Sequence, residues 1–212
     1  MPRGVTGAPR TIEWPPGRTL WRVSRDETGT RFSAHTGRIF RFSPIVSSDG
    51  TVVPTWYGAT SQAGAIFESI FHDIRPSHRD RRVAPNQYID RILAPVVTAR
   101  SLTLVDLTTD GLHSIGVSRA ALIESGSQRY WWTIEQAVLL RQAAPDADGF
   151  AWVSRARDTA LSVVLYGDRG DRGMLVPGED AALPLGLGAG LELLRTLAEA
   201  ARITIVLPDG AS

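Results

Sequence analysis

Cysteine and lysine are both missing from the 212 residues of this chain. Without cysteine there is no disulfide, no thiolate metal site and no cysteine nucleophile. This suits a cytosolic protein, although exported proteins also do without cysteine. Without lysine, all 23 fixed basic side chains are arginine. That usage goes with a GC-rich genome and carries no functional weight. No uninterrupted apolar run is long enough to cross a bilayer. Residues 1–18 lack the apolar stretch of a signal peptide, so the expectation is a soluble, cytoplasmic protein. A formal net charge of +1 supplies no global field to hold the chain on nucleic acid or an anionic membrane, and direct binding to either is not expected. His78, Arg79, Arg81 and Arg82 make one local basic run, either a solvated loop or a patch. The histidines His35, His72, His78 and His113 show no metal-ligand spacing, so no metal is expected. Gly186, Gly188 and Gly190 follow no strand at the spacing of a nucleotide fingerprint.

What is present reads as a folded domain. Hydrophobic residues make up 43% and charged residues 21%, an ordinary globular balance. Residues 1–18, closed by Pro15-Pro16-Gly17, read as an irregular arm, and residues 19–212 as one domain. Alternation predicts a strand over 19–24, with Leu20 and Arg22 on one face and Trp21 and Val23 on the other. A second strand is predicted over 52–59. Ala63, Ile66, Phe67, Ile70, Phe71 and Ile74 then fall on one helical face, with Thr60 and Ser61 as caps and Pro76 as the stop. Residues 77–100 read as a polar connection with a short helix near 88–93. A strand is predicted over 102–107, ending at Asp110-Gly111. Helices follow over 118–125 and 133–143, and paired strands over 150–153 and 161–166. A glycine-rich loop spans 167–190, before a helix over 191–201 and a strand over 203–207. Strands and helices mix without steady βαβ alternation, which makes the fold class α+β rather than a doubly wound sheet.

The chemistry-bearing candidates are few. On its helix Glu68 lies away from the apolar stripe, beside Ser61, Gly64, Ala65 and His72. Small neighbours leave its carboxylate open to a ligand; the same spacing also describes a solvent-facing glutamate. Tyr57 ends the preceding strand, at the rim where ligands bind, or else packs in the core beside Trp56. Arg22 and Arg41 stand in apolar company, placed to clamp a phosphate, to pair internally or to reach outward. Ser154 has no nucleophile elbow around it, so hydrogen bonding suits it better than attack.

Taken in order, several segments resemble one family. Leu20-Trp21-Arg22-Val23 is similar to the opening of RES-domain toxins, a family named for an arginine, a glutamate and a serine. Arg41-Phe42-Ser43-Pro44 resembles its G-R-F/W-N-P segment, with Phe40 in place of the glycine and Ser43 in place of the asparagine. Trp56-Tyr57-Gly58-Ala59 resembles its Y-x-A strand, and Ala65-Ile66-Phe67-Glu68 the helix carrying its glutamate. Leu104-Val105-Asp106-Leu107 is similar to its L-D-L strand. Asp148-Gly149-Phe150 through Ser154-Arg155-Ala156-Arg157 resembles its D-G-I-x-Y-x-S-x-R stretch.

The resemblance implies an α+β, ADP-ribosyltransferase-like fold with mixed sheets and flanking helices. It also implies a toxin that degrades NAD⁺ at the nicotinamide–ribose bond, as a glycohydrolase or a phosphorylase. NAD⁺ is then a substrate, joined by inorganic phosphate in the second case, and no cofactor is needed. A helix-turn-helix, Xre-like antitoxin is the implied partner. Glu68, Arg41 and Tyr57 take the catalytic places, and Arg22 and Ser154 the substrate-binding ones, either arginine being open as the principal ligand arginine. Transfer of ADP-ribose to a macromolecule, or an inactive module of the same fold, are the alternatives the resemblance leaves.

Overall fold

The computed structural model describes residues 4–34, 37–74, 77, 79–170 and 173–208. His35, Pro76 and His78, singled out above, lie outside these. The strands are β1 (Thr11–Trp14), β2 (Thr19–Ser24), β3 (Thr55–Ala59), β4 (Arg82–Val83), β5 (Ile92–Thr98) and β6 (Leu102–Asp106). They continue with β7 (Gly149–Val153), β8 (Leu161–Tyr166), β9 (Leu175–Pro177), β10 (Leu183–Pro184) and β11 (Thr204–Ile205). The helices are α1 (Gln62–Ser69), α2 (Thr109–Ser114), α3 (Arg119–Leu122), α4 (Tyr130–Ala143) and α5 (Gly188–Ala200).

One large sheet runs β1-β6-β7-β8-β3-β2-β5-β10, with β9 also on β5. Only the β6–β7 pairing within it is parallel among the described strands. Strands β4 and β11 form a separate parallel pair. Mixed strands with helices at their faces make this an α+β fold, as expected.

The period-two alternation sorts side chains onto two faces. One face carries Leu20, Trp56, Val96, Leu102, Leu104, Val163 and Leu165 in a single cluster. The opposite face is split. Toward β6–β8 it packs Val105, Phe150, Trp152, Val164 and Tyr166 against residues of α2, α3 and α4. Toward β2 and β5 it packs Ala59, Leu93, Trp21 and Val23 against α1 and α5. The seam between these two helical layers falls at β3, where Tyr57 belongs to one cluster and Ala59 to the other.

Several expectations need correction. The 1–18 arm is not wholly irregular: β1 pairs antiparallel with β6, Ile12 opposite Leu104, and Trp14 is buried. It carries too few alternating positions to stand out before its partner strand is known. The 77–100 connection holds β5, a seven-residue strand paired on both sides, between β2 and the short β9 and β10, rather than a helix near 88–93. Pro95 hid it, because a central strand seldom tolerates the missing donor. Here β10 covers only Ile92 and Leu93, and β9 only Val96, Val97 and Thr98. The Pro95 carbonyl points to that side, accepting from Gly178, so the absent N–H falls in the gap between the two short strands. The 167–190 loop likewise contains β9 and β10. Asp110 and Gly111 lie in α2 rather than ending a strand. Helix α1 stops at Ser69, five residues before Ile74, where the Ser69 hydroxyl donates back to the Ala65 carbonyl at 2.5 Å.

The Asp148-Gly149 pair is structural. Asp148 takes a two-pronged bond from Arg100, at 2.6 and 3.0 Å, and a third from the Thr103 N–H at 2.9 Å. The ion pair raises the Arg100 guanidinium from its ordinary value. A Cβ on Gly149 would lie 1.9 Å from the Val164 carbonyl oxygen, so only glycine lets β7 and β8 approach. Asp148→Asn keeps the shape and loses the charge. We expect a loss of ~2 kcal/mol and a Tm lowered by roughly 4–8 °C, read by thermal denaturation. An unchanged Tm would show the pair to be idle.

Candidate active site

Glu68 reaches the site because α1 lies unusually close to its neighbours. The Ser61 hydroxyl caps the helix by accepting from the Gly64 N–H at 3.0 Å. A Cβ on Gly64 would stand 2.7 Å from the Ala160 Cβ and 3.1 Å from that of Ala59. Close contact along this face carries Glu68, one turn on, to the connection between β7 and β8. There the Ser154 hydroxyl donates to Glu68 Oε1 at 2.5 Å. Ser154 is completely buried, and its Oγ accepts from the N–H groups of Ala156 and Arg157 at 3.1 and 3.0 Å. Three contacts therefore set the hydroxyl, and the hydroxyl sets the carboxylate. Glu68 is half-buried, not the free surface glutamate its spacing equally allowed.

Tyr57 is the middle residue of β3 rather than its last, and by alternation it shares a sheet face with Ala59, against which α1 packs. Its phenol shares a hydrogen bond of 3.0 Å with Ser43 Oγ, and its ring lies 5.9 Å from that of Phe40. Burial pushes this phenol well above the usual tyrosine range, the Ser43 and Phe42 hydrogen bonds working against it. It therefore stays protonated at neutral pH.

Arg41 is 7% exposed. Its guanidinium donates to the Leu122 carbonyl at 2.9 Å, to Ser125 Oγ at 3.1 Å and to the Ser125 carbonyl at 3.0 Å. It also lies 5.1 Å from the Tyr130 ring centroid. Burial lowers its pKa; Tyr130 offsets part of this, Arg155 adds to the lowering, and Glu68 and Tyr57 oppose it. Those through-space effects tie Arg41, Tyr57, Glu68, Tyr130 and Arg155 into one electrostatic unit.

Arg22 stands apart. By the alternation of β2 it lies on the sheet face opposite α1, 5.6 Å over the Trp56 ring. Its Nη1 donates to the carbonyls of Arg31 and Gly29 at 2.5 and 3.4 Å. Burial lowers its pKa, with Asp26 opposing. It lines an open hollow of about 710 Å³ with Arg25, Asp26 and Arg31. Of the expected site residues, Glu68, Ser154, Tyr57 and Arg41 come together and Arg22 does not join them.

Reading the sequence missed Tyr130, Ser125 and the role of Arg155 and His72. Arg155 donates through Nη2 to His72 Nε2 at 3.0 Å and to the His72 carbonyl at 3.1 Å. Its Nη1 lies 3.5 Å from the Ser125 carbonyl, the acceptor Arg41 also uses. The Tyr130 hydroxyl meets the same His72 nitrogen at 3.3 Å. No spacing rule links residues 72, 125, 130 and 155. The only available sign was the place of His72, one turn beyond Glu68.

The RES domain family model matches residues 19–187. The chain belongs to the RES-domain family. This RES domain is similar in fold to a chain of the crystal structure of the M. tuberculosis MbcT–MbcA toxin–antitoxin complex. The TM-score is 0.57 at 20% identity, covering 89% of this chain and 92% of that one. Comparison with the curated proteins gives no match. Within the RES domain, Glu68 and Ser154, to which the resemblance gave the glutamate and serine places, are joined by a hydrogen bond. Among its described residues no helix is long and apolar enough to cross a membrane.

Proposed function

We propose that this RES domain is the toxin of a toxin–antitoxin pair and that it breaks the nicotinamide–ribose bond of NAD⁺. The observation that carries the reading is the Glu68 carboxylate, held by Ser154 and set among arginines and tyrosines. Cleavage of the N-glycosidic bond develops positive charge on the ribose, as in glycoside hydrolysis. A fixed carboxylate stabilises that charge without reorganising. Nicotinamide begins as a cation and leaves neutral, so the step needs neither a general acid nor a metal. The C1–N bond breaks, its electron pair stays with nicotinamide, and water or phosphate forms the new bond at C1. The attacking group's proton passes to Glu68 or to solvent.

Tyr57, kept protonated, stacks on or hydrogen-bonds the nicotinamide riboside portion. Arg41 faces the anionic part of the substrate. The likeness in fold to a chain from a toxin–antitoxin complex supports an antitoxin partner, for which we propose an Xre-like helix-turn-helix protein.

The test is NAD⁺ consumption by the purified protein, with and without inorganic phosphate. Nicotinamide should appear in step with ADP-ribose, or with its 1-phosphate where phosphate is the acceptor. NAD⁺ left intact under both conditions would refute the reading. Toxicity on expression should be relieved by co-expressing the cognate antitoxin.

A further inference from the structure

Two guanidinium groups converge here on one backbone oxygen. Arg41 and Arg155 both direct donors at the Ser125 carbonyl, at 3.0 and 3.5 Å. Neither forms an ion pair with a carboxylate among the described residues, whereas seven other arginines do. Like charges repel, and Arg155 acts on Arg41 through space in that sense. Buried or half-buried cations without an ion-paired carboxylate are costly unless something else neutralises them. Arg41 commits its Nη atoms to protein acceptors, while Arg155 makes described bonds only through Nη1 and Nη2 and leaves its Nε–H uncommitted.

The Nη2 end of Arg155 is held by His72. A guanidinium has only donors, so His72 Nε2 must be the acceptor in the 3.0 Å contact. The ring proton then sits on Nδ1 and goes to Asp73 Oδ1 at 2.8 Å. The His72 carbonyl takes the other hydrogen of Arg155 Nη2. Two acceptors from one residue fix the plane of the guanidinium, which a flexible arginine alone would not keep.

We propose that Arg155 and Arg41 together grip a phosphoryl anion beside Glu68, and that His72 is the positioning residue for Arg155. The anion is the pyrophosphate of the dinucleotide, or the inorganic phosphate that attacks it. This rests on the NAD⁺ reading, and it assigns to Arg155 the place that the sequence order offered to Arg22.

Calorimetric titration with ADP-ribose and, separately, with inorganic phosphate tests the grip without turnover. Arg155→Ala should weaken ADP-ribose by about tenfold or more, and Arg155→Lys by less, since an ammonium keeps the charge and loses the fork. Weakening of phosphate alone would assign the same grip to the attacking anion. Wild-type affinity for both in Arg155→Ala would overturn it.

For His72, the kinetic split decides. His72→Ala should raise KM for NAD⁺ several-fold and leave kcat within about twofold, the mark of lost ground-state and transition-state binding alike. His72→Gln, which keeps an acceptor, should restore KM. A fall in kcat at constant KM, or no effect of either change, would remove the positioning role. Should the wild type leave NAD⁺ intact while Arg155→Ala still weakens ADP-ribose, the reaction is wrong and the anion grip stands.

Discussion

Glu68→Gln should lower the rate of NAD⁺ cleavage by about 10³-fold or more, equivalent to ~4 kcal/mol of transition-state stabilisation. The substitution is close to ideal for this question. A carboxamide oxygen still accepts from the Ser154 hydroxyl, which stands 2.5 Å from Oε1, so the link between α1 and the β7–β8 connection survives. What disappears is the negative charge that we propose faces the ribose. Folding should therefore be intact by circular dichroism and thermal denaturation, and the loss should fall on kcat rather than KM. Activity equal to the wild type would remove Glu68 from the mechanism, whatever its geometry.

Arg41→Met should damage both stability and binding. Leu122 is the last residue of α3, and its carbonyl is among those a helix end leaves without an internal partner. Arg41 supplies that partner at 2.9 Å and binds both the hydroxyl and the carbonyl of Ser125. A methionine fills similar space and leaves those buried acceptors short of donors, at about 1–3 kcal/mol for each that stays unsatisfied. Arg155 still reaches the Ser125 carbonyl, which limits the total. We expect a loss of ~3 kcal/mol and a Tm lowered by roughly 6–12 °C. KM for NAD⁺ should rise as well, because half of the paired guanidinium arrangement is gone. A Tm and KM both matching the wild type would show Arg41 to be neither a brace nor a ligand residue.

How far the chain could be read depended on the range of the interactions involved. Strand β2 was legible to the residue, faces included, because alternation is local. So were the Ser61 and Ser118 caps, whose hydroxyls accept from the N–H three residues on. Helix α4 begins three residues before the predicted start, at Tyr130. Its first turn holds two tryptophan or tyrosine neighbours whose burial no cap announces. Strand β5 escaped because Pro95 is tolerated only through the break between β9 and β10, a fact of partners distant in sequence. Ser43 shows the same limit from the other side. It departs from the family asparagine, yet its hydroxyl meets the Tyr57 phenol.

The linear chain by itself determined the α+β class, the alternating faces of the principal strands and the list of candidate side chains, with Glu68 and Ser154 on it. These follow from periodicity and from ordered motifs, each contained within a few residues. Only the tertiary structure decided which candidates meet. It set Arg22 on the far face of the sheet and brought Arg155 to Ser125 from thirty positions away. The reason is that a side chain's face is a local property, whereas its neighbours depend on how strands are ordered in the sheet and on how closely α1 packs at Gly64.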